Sequence, residues 1–282
     1  MTSHSLSLKT GFGDQAIELV CNSPEAKELA DFLFADLPGC QRSTDHRQFD
    51  LIFSGPLPMI SLWNGDKRLY FGTSRYQLAY ILMNEVLYYC IDNNRTQHAL
   101  HAGAVCKKGR CIILPGRSGI GKSTMTAWLL TTGYQYLSDE LVFLSEAGWL
   151  KPFTRPLKLS LNSDLNQLLG KFSSQSVLHS SDDQVLIPHR LLNQNFTAQE
   201  PKLTDIVFPQ FAKGAPPVLQ KLTAAKSCFL LMQSHVNARN LNGHGISALA
   251  AVVKKCNAYR LSYGSFKDLA SIFGDTFGPP DQ

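Results

Sequence analysis

Apolar residues in this chain fall into short blocks with two different periods. Over residues 26–37 they recur at helical spacing, which predicts an amphipathic helix. Ile60-Ser61-Leu62-Trp63 and Arg68-Leu69-Tyr70-Phe71 read as strands. Asn64-Gly65 between them predicts a hairpin with a type I′ turn, in which both residues take positive φ. Residues 77–91 form an apolar helix with Leu78, Ile81, Leu82, Val86 and Tyr89 as its buried face. Asp92-Asn93-Asn94-Arg95 interrupts the pattern. It sets a boundary between a small α+β N-terminal region (residues 1–95) and a larger domain (residues 96–282).

In the larger domain, residues 102–106 and 110–114 are short strands separated by Lys107-Lys108-Gly109. A turn that short makes them antiparallel neighbours. Further along, residues 141–144 read as a strand, Ala147-Gly148 as a turn and residues 164–169 as a helix. Residues 173–183 are rich in Ser, Asp and Gln and read as a mobile loop. Lys213-Gly214-Ala215-Pro216-Pro217 is a break. Residues 247–256 predict a helix, 259–264 a strand and 266–273 a last helix. No internal repeat is present.

The second strand of the 102–114 hairpin runs into Gly116-Arg117-Ser118-Gly119-Ile120-Gly121-Lys122-Ser123-Thr124. This fits the phosphate-binding loop pattern of Gly, four residues, Gly, Lys, then Ser or Thr. Its glycines let backbone N–H groups turn toward phosphates, its lysine reaches the terminal phosphates, and its serine hydroxyl can hold magnesium. Met125, Trp128, Leu129 and Leu130 then supply a helix face, and Gly133 stands where a C-terminal cap belongs. Strand, glycine-rich loop and helix make the setting this motif requires. The plain alternative is a glycine-rich turn that only joins two elements.

Composition narrows the picture little. A net charge of +5, from 27 Lys and Arg against 22 Asp and Glu, comes without any basic block, so nucleic acid is not demanded as a partner. The seven cysteines (Cys21, Cys40, Cys90, Cys106, Cys111, Cys228 and Cys256) show no C-x-x-C spacing, and several lie in apolar runs. They read as free thiols in a reducing compartment rather than as a disulfide framework. No signal-peptide pattern and no apolar run of transmembrane length is found, which gives an expectation of a cytoplasmic chain.

A phosphate-binding loop needs partners to transfer phosphate. Asp139 and Glu140 lie one helix and one turn after Lys122, so they are expected to return beside the strand that carries the loop. They supply a carboxylate for magnesium and a base for an acceptor hydroxyl. The alternative is an exposed acidic pair on a turn, but carboxylates amid Tyr136, Leu137, Leu141, Val142 and Phe143 call for a task or a partner. His101, in Leu100-His101-Ala102-Gly103, is close enough in sequence to lie on the adjacent strand. His98 is near it, yet no third ligand for zinc is apparent. Arg117 belongs to the loop itself. Arg155 and Arg239 lie in segments that could approach it, although each also reads as an ordinary surface arginine.

Taken together, Leu100-His101-Ala102-Gly103, the short hairpin, Ser118 to Ser123, Gly133-Tyr134 and Ser138-Asp139-Glu140 resemble the HPr kinase/phosphorylase family, and most of all the HPr-kinase-related bacterial kinases. The resemblance implies an α/β fold: a P-loop kinase domain of the HPr kinase and phosphoenolpyruvate carboxykinase type with a mixed sheet. It implies that ATP is bound by residues 116–124, with Lys122 on the β- and γ-phosphates and Mg2+ at Ser123, Asp139 and Glu140. Asp139 matches the base toward the acceptor hydroxyl, and His101 the histidine before the kinase hairpin. Some relatives in the wider group phosphorylate serine on a peptide or protein, and the family tends to form homo-oligomers. Glu140 stands where the family has a second aspartate and Thr124 where it usually has glutamate. The later glycine-rich signature of the phosphorylase reaction is not found. The expectation is therefore an ATP- and magnesium-dependent serine kinase acting on a peptide or small protein. Two alternatives remain: a kinase for a small hydroxyl compound such as an amino acid or sugar, and a nucleotide-dependent switch without transfer.

Overall fold

The computed structural model describes residues 6–37, 46–55, 59–117, 119–160, 177–179, 183–196, 199–266 and 269–278. The expected helix at 164–169, most of the expected loop at 173–183, Ser118 and Cys40 lie outside them. Within the loop, Leu178–His179 is a short strand. The chain divides into two units: Met1–Asn93 with Thr154–Leu191, and Asn94–Phe153 with Leu192–Gln282. In this division Thr154–Leu191, which lies within residues 96–282, falls with the N-terminal strands. Both units are α/β, with mixed sheets among them. Among the described residues no helix is long and apolar enough to cross a membrane.

In the first unit, five strands lie side by side in sequence order: β1 Leu6–Phe12, β2 Gln15–Cys21, β3 His46–Ser54, β4 Met59–Asn64 and β5 Lys67–Gly72. Helix α1, Pro24–Phe34, starts two residues earlier than its apolar pattern suggests. The Ser23 side chain caps the Ala26 N–H, and Pro24 is pre-set for the first turn. Helix α2 spans Arg75–Asn93. The β4–β5 hairpin forms as expected but its turn is shifted by one residue. Asn64 pairs with Lys67, so the loop is Gly65-Asp66, and of these two only Gly65 has positive φ. A type I′ turn on Asn64-Gly65 is therefore not what forms.

The second unit is built on an eight-stranded sheet. Its strands are β6 His98–Lys107, β7 Arg110–Pro115, β8 Gln135–Ser138, β9 Leu141–Leu144 and β10 Leu150–Lys151 in its first half. After β11 Leu157–Ser160, β12 Leu178–His179 and β13 Gln184–Ile187, which form a small sheet in the first unit, come β14 Asp205–Phe211, β15 Val218–Lys221 and β16 Asn257–Tyr263. The order is β10-β9-β6-β7-β14-β16-β15, with β8 also on β6. β7, β14 and β16 are parallel to one another; the other pairings are antiparallel. The parallel centre is nearly continuously apolar, as strands covered on both faces must be. Helix α3, Lys122–Thr131, follows the loop after β7, with α4 Ala224–Met232, α5 Ile246–Val253 and α6 Leu269–Phe277 later in the chain.

Two local features of this unit bear on the sequence reading. The β6–β7 turn is Lys108-Gly109, both at positive φ (50° and 80°), the signature of a two-residue type I′ hairpin. Its register sets Cys106 directly opposite Cys111, and the two are joined as a disulfide. The expectation of free thiols throughout is corrected at this pair. C-x-x-C spacing is not the signal for this pair, because an antiparallel hairpin brings residues five apart face to face. Cys21 and Cys90 are free and buried, and Cys228 and Cys256 are free and half-buried.

Candidate functional site

The glycine-rich run lies between β7 and α3, in the strand–loop–helix order the motif requires. Gly119 and Gly121 take positive φ (85° and 93°), which an L side chain would resist, and Gly121 opens the helix. A methyl group at Gly116 would run into the Ile120 side chain. The far end of α3 closes in a Schellman motif. Gly133 has φ of 90°, its N–H donates to the Leu130 carbonyl, and the Tyr134 N–H reaches back to Leu129. Gly133 thus occupies the capping role read from the sequence.

Lys122, at the first turn of α3, is only 5% exposed. Its ammonium donates to the Arg117 carbonyl at 2.9 Å, folding the lysine over the loop. Burial holds its pKa below the usual lysine range, against the opposing pull of the Glu140 and Asp139 carboxylates. The structure therefore brings this lysine within electrostatic reach of both acids. Arg117 and Gly119 are exposed; Gly116, Ile120, Gly121, Ser123 and Thr124 are half-buried.

The acidic pair occupies the two-residue connection between β8 and β9, and the Ser138 hydroxyl closes it by donating to the Leu141 carbonyl. Both flanking strands pair with β6. Asp139 and Glu140 therefore return beside β6, and not beside the loop-bearing strand β7 as the sequence reading expected. β6 lies between β9 and β7 and takes the neighbouring position. Asp139 is 1% exposed. Glu140 reaches His101, whose Nε2 lies 3.0 Å from Glu140 Oε1, and the Glu140 carbonyl accepts from the Ala102 N–H. His101 sits on β6 across from Leu141, and its carbonyl accepts from the Gly116 N–H at the start of the loop. Backbone and side chain of one histidine thus join the acidic turn to the glycine-rich loop.

The remaining positions separate. Arg155 belongs to the first unit and is buried, so it is not the ordinary surface arginine it resembled. Arg239 is exposed on the short helical turn Ala238–Asn240. His98 is fully buried against His235, with ring centroids 5.1 Å apart, and burial followed by the neighbouring imidazole pushes its pKa down to about 4. Among the described residues no cluster of three or more His, Cys, Asp or Glu could hold a metal ion.

Sequence reasoning missed three supports of this site. The Ser234 carbonyl accepts the His101 N–H at 2.7 Å, and the Asn237 side chain ties down the start of β6 by accepting from the Ala99 N–H. Both come from a segment far along the chain, and no local pattern announces them. The third is Gly103, where a methyl group would collide with Thr126 Oγ1 on α3. A glycine in the middle of an apolar strand was the available signal for such a close approach.

No protein-family model matches this chain, and no curated protein matches it. Among the solved structures similar to it is the Hpr(Ser) kinase/phosphatase from Coxiella burnetii, 13% identical, with 62% of this chain and 90% of that one covered at a TM-score of 0.30.

The donor set around the loop consists of hard oxygens: the Ser123 hydroxyl at the first turn of α3 and the Asp139 and Glu140 carboxylates near Lys122. That set suits magnesium, which is held through one or two carboxylates together with phosphate oxygens and water rather than by an all-protein cage.

Proposed function

We propose that this chain is an ATP- and magnesium-dependent kinase that transfers the γ-phosphate to a hydroxyl, with serine of a peptide or small protein as acceptor. The observation that carries this reading is Lys122, buried at the head of a glycine-rich loop and lying in the field of Asp139 and Glu140. A loop that only joined two elements would have no reason to bury an ammonium in the field of two acids. The residue-level resemblance to HPr-kinase-related kinases supports the same assignment.

In this reading the N–H groups of residues 116–124 and the positive end of α3 hold the phosphates. Lys122 leaves the Arg117 carbonyl for the β- and γ-phosphates. Ser123 and the acidic pair would hold magnesium, which when bound would neutralise charge on the phosphoryl oxygens. Asp139 accepts the proton of the attacking hydroxyl. His101 Nε2 holds the Glu140 carboxylate in place.

The test is transfer of labelled γ-phosphate from ATP into a peptide and small-protein pool, with small hydroxyl compounds assayed in parallel. Lys122→Ala is expected to abolish transfer. Asp139→Asn is expected to keep nucleotide affinity and slow transfer by about 10²- to 10⁴-fold. Normal transfer by Asp139→Asn would rule out the base assignment. ATP binding without turnover against any acceptor would leave a nucleotide-dependent switch.

A further inference from the structure

Phosphate is only part of a nucleotide. Ligands of open α/β sheets bind beyond the C-terminal ends of the parallel strands. Here those ends are Pro115 of β7, which leads into the glycine-rich loop, then Phe211 of β14 and Tyr263 of β16. Phe211 and Tyr263 are register partners at the same edge. Both abut the last glycine of the loop: a Cβ at Gly121 would lie 3.1 Å from Tyr263 Oη and 3.8 Å from Phe211 Cβ. Tyr263 is buried, but Phe211 is 47% exposed.

The exposed ring is firmly mounted. Tyr263 meets it edge-on, with centroids 5.4 Å apart and planes at 65°. Tyr263 in turn packs on Phe266, and Phe266 stacks on Trp128 of α3. This places a large apolar π-surface, braced by the helix that follows the loop, in water one residue's width from the phosphate-binding turn. Leaving an aromatic ring this exposed forgoes its hydrophobic stabilisation unless something covers it.

We propose that Phe211 is the stacking surface for the purine base of the bound nucleotide, with Tyr263 as its positioning residue. The inference rests on the nucleotide reading above and adds the part of the ligand that phosphate contacts cannot recognise. Bases stack on aromatic rings through π-faces common to them all, so the site selects for a base more than for adenine over guanine.

The experiment is calorimetric titration of the full chain with magnesium and two probes, ATP and inorganic tripolyphosphate, which has the phosphates and no base. The wild-type protein is expected to prefer ATP. Phe211→Ala is expected to weaken ATP by about 5- to 100-fold while tripolyphosphate stays within about twofold, and Phe211→Trp to restore the preference. An equal loss for both probes, or ATP affinity unchanged in Phe211→Ala, overturns the proposal while leaving phosphate binding at the loop intact. If the wild type binds neither probe, the nucleotide reading itself falls, and the base site with it.

Discussion

Lys122 has to stay charged in surroundings that disfavour charge. Burial lowers its pKa, and the Glu140 and Asp139 carboxylates act against that. The nearby α3–β6 contact shows how closely the surroundings are packed. Gly103 allows Thr126 Oγ1 to approach β6, and that oxygen is buried with no hydrogen-bond partner among the described residues. Gly103→Ala is therefore expected to destabilise the protein by roughly 1–3 kcal/mol through overpacking. Thr126→Ala removes the oxygen that the new methyl group would strike. In the double variant, denaturant unfolding should show recovery of part of the loss, a coupling of about 0.5–3 kcal/mol. Simple additivity of the two changes would mean that the contact does not limit the approach of α3.

At the scale of elements, the β6–β7 hairpin organises the site. It carries His101 on one arm and leads into the glycine-rich loop on the other, while β8 and β9 dock on its outer edge and deliver the acidic turn. Lys108 holds φ of 50° at its tip, a conformation that suits Asn or Gly better than Lys. Lys108→Asn creates an Asn-Gly type I′ turn and should raise stability by about 0.5–1 kcal/mol, read as a higher thermal midpoint. An unchanged or lower midpoint would count against this account of the turn.

This hairpin, its antiparallel sense and the helix after the loop were legible because turn chemistry and apolar period are local signals. The turn lies at Gly65-Asp66, one residue beyond its expected position, because Asn64 pairs with Lys67 in the ladder. The position of Asp139 and Glu140 against β6 was not legible, since strand order is decided by packing among segments distant in sequence. Phe211 escaped notice for the same reason: its place beside Gly121 follows from the parallel pairing of β7 with β14, which no pattern near residue 211 reveals.

For the whole molecule, the buried histidines set a pH limit. His98 titrates at about 4 in the folded protein against 6.5 in its ordinary state, because burial and then His235 disfavour its charged form. The unfolded chain binds that proton first. Stability from this group is thus complete above about pH 6.5 and is lost as pH falls from there toward 4. His189, in the first unit, is also held at about 4, mainly by burial. Unfolding followed across this window should show a falling midpoint, and His98→Leu should flatten the part that belongs to the second unit. A pH profile identical in His98→Leu and wild type would place the acid sensitivity elsewhere.

The division of the chain carries a consequence for synthesis. The first unit is interrupted after Asn93 and resumes only at Thr154, and the second is interrupted after Phe153 and resumes at Leu192. A ribosome making this chain releases β6, the glycine-rich loop and the acidic turn before either unit has all its strands. The loop's parallel neighbour β14 emerges later still. For that interval the future site is a nascent hairpin and helix with an apolar sheet edge exposed, an edge open to pairing with a wrong strand.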